Sequence, residues 1–205
     1  MRPRSIRAAL AAALAAALMA CSLSAPPIRY FEVRPTRGEA ATAAPTLPSV
    51  IVPNFSCLSA YDHLRVVVRR SDVEVVTSRS LQWTTVPGRM LSQGVRYYLE
   101  GTGRFETVRR DAKPRPPYTV EGQVQVIELI EKPAPAARLA LHVNVRRSAD
   151  GVVIAEEFID ESRKAEGADP GDGILAMRAL YTEILARLSA RVVAAIEEDV
   201  GAGGS

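Results

Sequence analysis

Four side chains here are of types that do covalent or proton-transfer chemistry near neutral pH: Cys21, Cys57, His63 and His142. Cys57 and His63 lie six residues apart, a separation open to a thiol–imidazole pair in which the ring draws off the thiol proton. That spacing sets no geometry by itself, and a free cysteine commonly serves as a small buried apolar residue. His142 alternates with Arg138, Asn144 and Arg146, which puts it on the polar, solvated side of a strand. No His, Cys, Asp or Glu grouping has the spacing of a zinc site. Asp169 and Asp172 lack the twelve-residue loop and terminal glutamate of a calcium site and suit a helix cap instead. Gly101-Thr102-Gly103 is too short for a phosphate loop and follows a helix where such a loop would precede one. The residues therefore assign no catalytic group, no metal and no cofactor.

Cys21 belongs to a different chemistry. Arg2, Arg4 and Arg7 precede the apolar run Ala8 to Leu18, and Leu18-Met19-Ala20 leads into Cys21. This layout resembles a bacterial lipoprotein signal. The resemblance implies cleavage before Cys21, diacylglycerol on its thiol, acylation of the new amino terminus with palmitate-type chains, and a permanent membrane anchor. An ordinary secretory signal and a transmembrane helix are the competing readings. Ala8 to Ala20 would span roughly 20 Å as a helix, against a hydrocarbon core of about 30 Å. The arginines are not adjacent, which disfavours twin-arginine export. One acyl chain binds a bilayer only marginally, whereas the three chains of such lipoproteins hold. Ser22 stands where an aspartate favours the inner membrane in enterobacterial lipoproteins, so the outer membrane is expected.

Stepping from the anchor to the rest changes the charge balance. The whole chain has 26 Lys and Arg against 23 Asp and Glu, but the signal holds three arginines and no acid. The remaining chain is therefore neutral, and no overall field favours nucleic acid. Once Cys21 is acylated, Cys57 is alone, and an odd cysteine outside the cytosol is either free or bridges two molecules.

Elements must then position these residues. Residues 1–20 read as signal and 21–46 as anchor and tether, with Pro26, Pro27, Pro35 and Pro45 keeping the segment extended. Stretched out, about 25 such residues reach roughly 80–90 Å. Ile28 to Val33 alternates and predicts an edge strand inside that tether. Residues 47–199 read as a single domain and 200–205 as a flexible tail. Val50 to Val52 predicts a short strand, and Phe55 to Asp62 a loop or helical turn. Leu64 to Arg69 and Val73 to Thr77 predict a hairpin across Arg70-Ser71-Asp72. Pro87 fits the first turn of a helix striped by Leu91, Val95, Tyr98 and Leu99. Phe105 to Arg109 predicts a short strand. Tyr118 to Glu131 predicts a long one, with a phase shift before Ile127 that marks a bulge. Leu139 to Arg146 alternates and turns at Asp150-Gly151 into Val152 to Ile159. Ile174, Met177, Leu180, Ile184, Leu188, Val192 and Ile196 form one face of a helix of roughly six turns. Glu156, Glu157, Asp160 and Glu161 read as a wet strand edge, and Arg109, Arg110, Lys113 and Arg115 as a solvated basic loop. The fold class expected is α+β, a mainly antiparallel sheet with two helices packed on one face. Trp83, between hairpin and helix, is either a core anchor or a partner contact.

The stretch Leu64 to Val108, with Leu81-Gln82-Trp83, Pro87, Met90-Leu91 and Arg104-Phe105-Glu106-Thr107-Val108, resembles the ABC-type transport auxiliary lipoproteins. Tyr30 matches a tyrosine-bearing strand that follows the lipidated cysteine in that family. The resemblance runs from Tyr30 to about Ile196; Cys57 and the prolines of Pro114 to Pro117 have no counterpart in it. It implies a periplasm-facing protein without transport chemistry of its own, serving an ABC permease or a mammalian-cell-entry (MCE) type protein in lipid transport between two membranes. A carrier holding lipid in its own apolar cavity is the alternative, and self-association is a further expectation.

Overall fold

The computed structural model describes residues 27–35 and 44–203. The order of elements is β1 (Arg29–Phe31), β2 (Val50–Ile51), β3 (Ser56–Cys57), β4 (Arg65–Arg69) and β5 (Val75–Trp83), then α1 (Pro87–Gly101). β6 (Val108–Arg109), β7 (Tyr118–Ile130), β8 (Ala136–Arg147), β9 (Val153–Lys164) and α2 (Pro170–Gly203) complete it. This is an α+β fold built on one large, open, mostly antiparallel sheet of nine strands.

β7 is the spine of that sheet. Its alternation predicts a strand with a phase shift, and a register break falls between Val124 and Val126. The extra residue lets Val120 and Val124 before it, and Ile127 and Leu129 after it, reach the same buried side. On one flank β7 pairs antiparallel with β8, which pairs antiparallel with β9. On the other flank three short strands lie end to end, all parallel to β7. Val50 of β2 is opposite Tyr118, Cys57 of β3 opposite Val124, and Val67 of β4 opposite Glu128. Residues 50–69 thus run alongside β7 as one interrupted strand. Pro53 accounts for the first break, since it has no N–H to give a ladder. This parallel component goes beyond the hairpins that periodicity suggests.

Several boundaries also move. β5 continues past Thr77 to Trp83: its burial alternates residue by residue, but Ser78, Arg79 and Ser80 are all polar, so no apolar–polar alternation marks the strand there. β6 keeps only two residues of the predicted Phe105 to Arg109, while Phe105 forms a bridge with Leu47. Ser56 and Cys57 are strand where a loop or turn was expected. β9 runs on to Lys164. The strand expected within the tether exists as β1, which pairs parallel with Leu81 to Trp83, and Val33 beyond it is buried.

α2 has 34 residues, about nine turns and some 50 Å, rather than six turns. It includes Val200 to Gly203, so the described part of the expected tail is helical. The Asp169 side chain accepts the Gly171 N–H at 2.7 Å and so opens the helix. Met177, Tyr181, Ile184, Leu185, Leu188 and Ile196 are buried in one core with Leu139 and Leu141 of β8. Each such Leu or Ile contributes about 2 kcal/mol by leaving water. At the far end Asp199 accepts hydrogen bonds from the Tyr118 hydroxyl at 2.8 Å and Arg147 Nε at 3.0 Å. That contact ties the last turns of the helix to the start of β7 and the end of β8.

α1 begins at Pro87 and buries Met90, Leu91, Val95 and Leu99. It meets α2 where Gly94 faces Tyr181: a Cβ on Gly94 would lie 2.4 Å from the phenol oxygen. The wholly buried Tyr181 hydroxyl donates to the Leu91 carbonyl, and burial pushes this phenol well above its ordinary pKa.

Candidate partner-binding site

Cys21 and the cleavage motif Leu18, Met19 and Ala20 lie outside the described residues. Cys57 sits on β3, half-buried. Burial raises its thiol pKa, and the Gly88 N–H partly offsets this. His63 does not meet it: the Nδ1 of His63 is buried with no hydrogen-bond partner among the described residues. No thiol–imidazole pair is formed. Trp83 is 1% exposed, at the end of β5 and inside the main core, with its N–H donating to the Leu64 carbonyl at 2.6 Å through the backbone. Gly101 to Gly103 close α1, with the Thr102 hydroxyl donating to the Leu99 carbonyl and Gly103 at a φ of 63°. Asp169 is a helix cap, and the Gly171 N–H and then Arg29 hold its carboxyl below the usual range.

The charged residues of β8 and β9 are paired as well as solvated. His142 is bonded to Glu156 at 2.7 Å and stacks on Phe158, with ring centroids 4.1 Å apart and planes 8° from parallel. The four acidic residues of β9 do lie on a solvent-exposed edge strand, and each is also paired. Glu156 meets His142 and Asp160 meets Arg138 at 2.8 Å, both by pairing with β8. Glu157 meets Arg191 at 2.9 Å and Glu161 meets Arg187, both reaching to α2. Alternation along the strand explains the split, because neighbouring residues point to opposite sides. The basic loop is also less bare than expected: Arg110 pairs with Asp111 at 3.0 Å and Arg115 with Glu121 at 3.8 Å.

Glu128 is the buried charge that sequence reasoning passed over. Its side chain is fully buried, on the opposite side of β7 from Ile127 and Leu129. Arg69 holds it with two bonds, from Nε at 2.6 Å and from Nη2 at 3.0 Å. Arg138 approaches to 3.6 Å and the Tyr61 hydroxyl donates at 3.3 Å. Burial and then the carboxylate charge raise the Tyr61 phenol. Both carboxylate oxygens are bonded and the side chain is fully buried, so the cluster fastens β4, β7, β8 and the Tyr61 loop. The polar phase of the β7 alternation places Glu128 among solvated residues; only the covering loop, invisible to periodicity, makes it buried.

Among the described residues several large side chains stay exposed. Phe158 is 67% exposed beside the His142–Glu156 pair. An accessible aromatic ring framed by charge is the composition of an interface anchor. Among the described residues no helix is long and apolar enough to cross a membrane.

No curated protein matches the sequence. A solved DUF330 protein from Xanthomonas campestris is similar in fold, at a TM-score of 0.73 and 20% identity, covering 84% of this chain and 99% of that one. A second solved structure, of an uncharacterized protein, has a TM-score of 0.62 and 11% identity, covering 81% and 99%. The family model for the ABC-type transport auxiliary lipoprotein component matches residues 31–193, from within β1 almost to the end of the buried face of α2. With that match spanning every strand after the first, all of α1 and α2 as far as residue 193, the chain belongs to the ABC-type transport auxiliary lipoprotein family.

Proposed function

We propose that this chain is a lipid-anchored docking component of an ABC-type, MCE-associated lipid transport system. Signal cleavage after Leu18-Met19-Ala20 leaves Cys21 as the acylated first residue. The single α+β domain then faces the periplasm, held by acyl chains in the outer membrane. It binds an ABC permease or an MCE-type protein and turns over no substrate. The observation that carries this reading is the family match over residues 31–193. The surface around Phe158 and His142 supports it as the place of contact, since the aromatic ring is presented and not packed away.

The test is affinity purification of the tagged chain from gently solubilised membranes, with blotting for the permease and the MCE-type protein of the same transport system. Retention of either by the wild type, and its loss with Phe158→Ala, is the expected result. Recovery of the chain without either protein would sink the reading. Labelled palmitate should enter the wild type and not Cys21→Ser.

The carrier alternative has less behind it. The side chains of Met177, Tyr181, Ile184 and Leu188 occupy the space between α2 and the sheet in which a lipid would have to lie. Native mass spectrometry decides, with bound phospholipid favouring a carrier.

A further inference from the structure

A groove of about 1140 Å³ runs along the outer side of β5. Four arginines line it, Arg29, Arg65, Arg70 and Arg79, against a single carboxylate, Glu131. Arg29 is partly answered by Asp169 at 3.4 Å, and Arg70 by Glu131 at 3.5 Å. Arg65 and Arg79 are exposed and form no ion pair among the described residues. Exposed apolar side chains border them: Val75 lines the groove, and Ile28 and Val73 stand nearby in sequence at 48% and 94% exposure. Arginines set among exposed apolar groups are the composition of a surface that meets lipid headgroups, where the charge pairs with phosphate and the apolar groups reach the acyl boundary.

Chain length adds an independent constraint. Pro27 lines the same groove. Only six residue steps separate it from Cys21, a span of at most about 20 Å. Because β1 is pinned to β5, the slack of the whole segment to residue 46 is not available to lift the domain away. The bilayer that holds the acyl chains must therefore lie within reach of these arginines, inside a few Debye lengths.

We infer that the groove along β5 seats on the anionic phospholipid headgroups of the membrane that holds Cys21, with Arg65 and Arg79 as its phosphate contacts. This rests on the anchor proposed above. It turns the lipid from a loose leash into one of two contacts that fix how the domain stands on the bilayer.

The experiment uses the mature chain with Cys21→Ser, so that no acyl group contributes. It is sedimented with vesicles of phosphatidylcholine alone, or with roughly one-third phosphatidylglycerol, at low salt. Binding is expected only to the anionic vesicles, and it should fall away at high salt. Arg65→Glu with Arg79→Glu should weaken it by tenfold or more, on the order set by losing two membrane-facing cations. Arg187→Glu with Arg191→Glu, reversing as much charge elsewhere, should leave it within about twofold. Circular dichroism confirms that each variant is folded. Equal binding to both vesicle types, no binding to either, or undiminished binding by the Arg65 and Arg79 variant overturns the inference. Palmitate labelling of the wild type reads the anchor and sedimentation reads the groove, so a failure of one is distinguished from a failure of the other.

Discussion

Along β9, Glu156, Glu157, Asp160 and Glu161 each meet a basic side chain supplied by β8 or α2. Along β5, Arg79 meets no carboxylate among the described residues, and neither does Arg65 on the adjoining β4. Both strands border the sheet over much of their length, since β1 covers only Leu81 to Trp83 of β5. The difference separates two uses of charge. Where the chain supplies its own counterion, the pair positions one element on another. Where no counterion is supplied among the described residues, the charge positions no element. Glu128 is the extreme of the first kind, because its side chain is fully buried.

The comparison breaks hardest at that residue. Glu128→Ala leaves Arg69 without its carboxylate and Arg138 with Asp160 alone, and should cost about 3–5 kcal/mol in urea unfolding. A midpoint like that of the wild type would show that the cluster holds nothing together. Gly94→Ala comes next. The added carbon meets a phenol that has nowhere to move, for about 1–3 kcal/mol by the same measurement. The clamp on Asp199 sharpens the comparison through pH. Arg147, and then Tyr118, hold its carboxyl below the ordinary value, so its stabilisation is present above about pH 4 and is lost as pH falls further. Burial, and then the bond to Asp199, push the Tyr118 phenol up to about 12. Its contribution is therefore full below about pH 10 and lost as pH rises toward that value. Asp199→Asn should flatten the acid limb of a stability–pH curve and Tyr118→Phe the alkaline limb; unchanged limbs would count against the clamp. Smallest are the exposed pairs. Arg187→Ala or Arg191→Ala should cost no more than about 1 kcal/mol, and Arg79→Ala less than about 0.5, in the same urea titrations.

The elements with a clean period were legible from the residues. The stripe from Ile174 to Ile196, the alternation of β8 and the phase shift in β7 each report one buried side, and the α+β class follows from them. Strands of two residues carry no period, so β3 and the shortness of β6 were not readable. Parallel pairing of β2, β3 and β4 with β7 joins residues about sixty apart and has no local signature. The site divides the same way. Cys21 announces itself by its neighbours in sequence, whereas Phe158 beside His142 requires knowing that β8 and β9 are in register. The carboxylates of β9 were visible as residue types, but their partners on α2 lie up to 34 positions away. Arg65 and Arg79 are unremarkable in the sequence and become notable only when their neighbours turn out to offer no counterion.

The position of α2 has a consequence for the order of synthesis. The inner side of β8 and β9 is closed by the last 34-residue element of the chain, and that element is latched by Asp199, within a few residues of its end. Until those residues have emerged, Leu139, Leu141 and Val143 have no cover, and folding from the amino terminus as the chain grows cannot be completed. A polypeptide built this way stays threadable until α2 has been made.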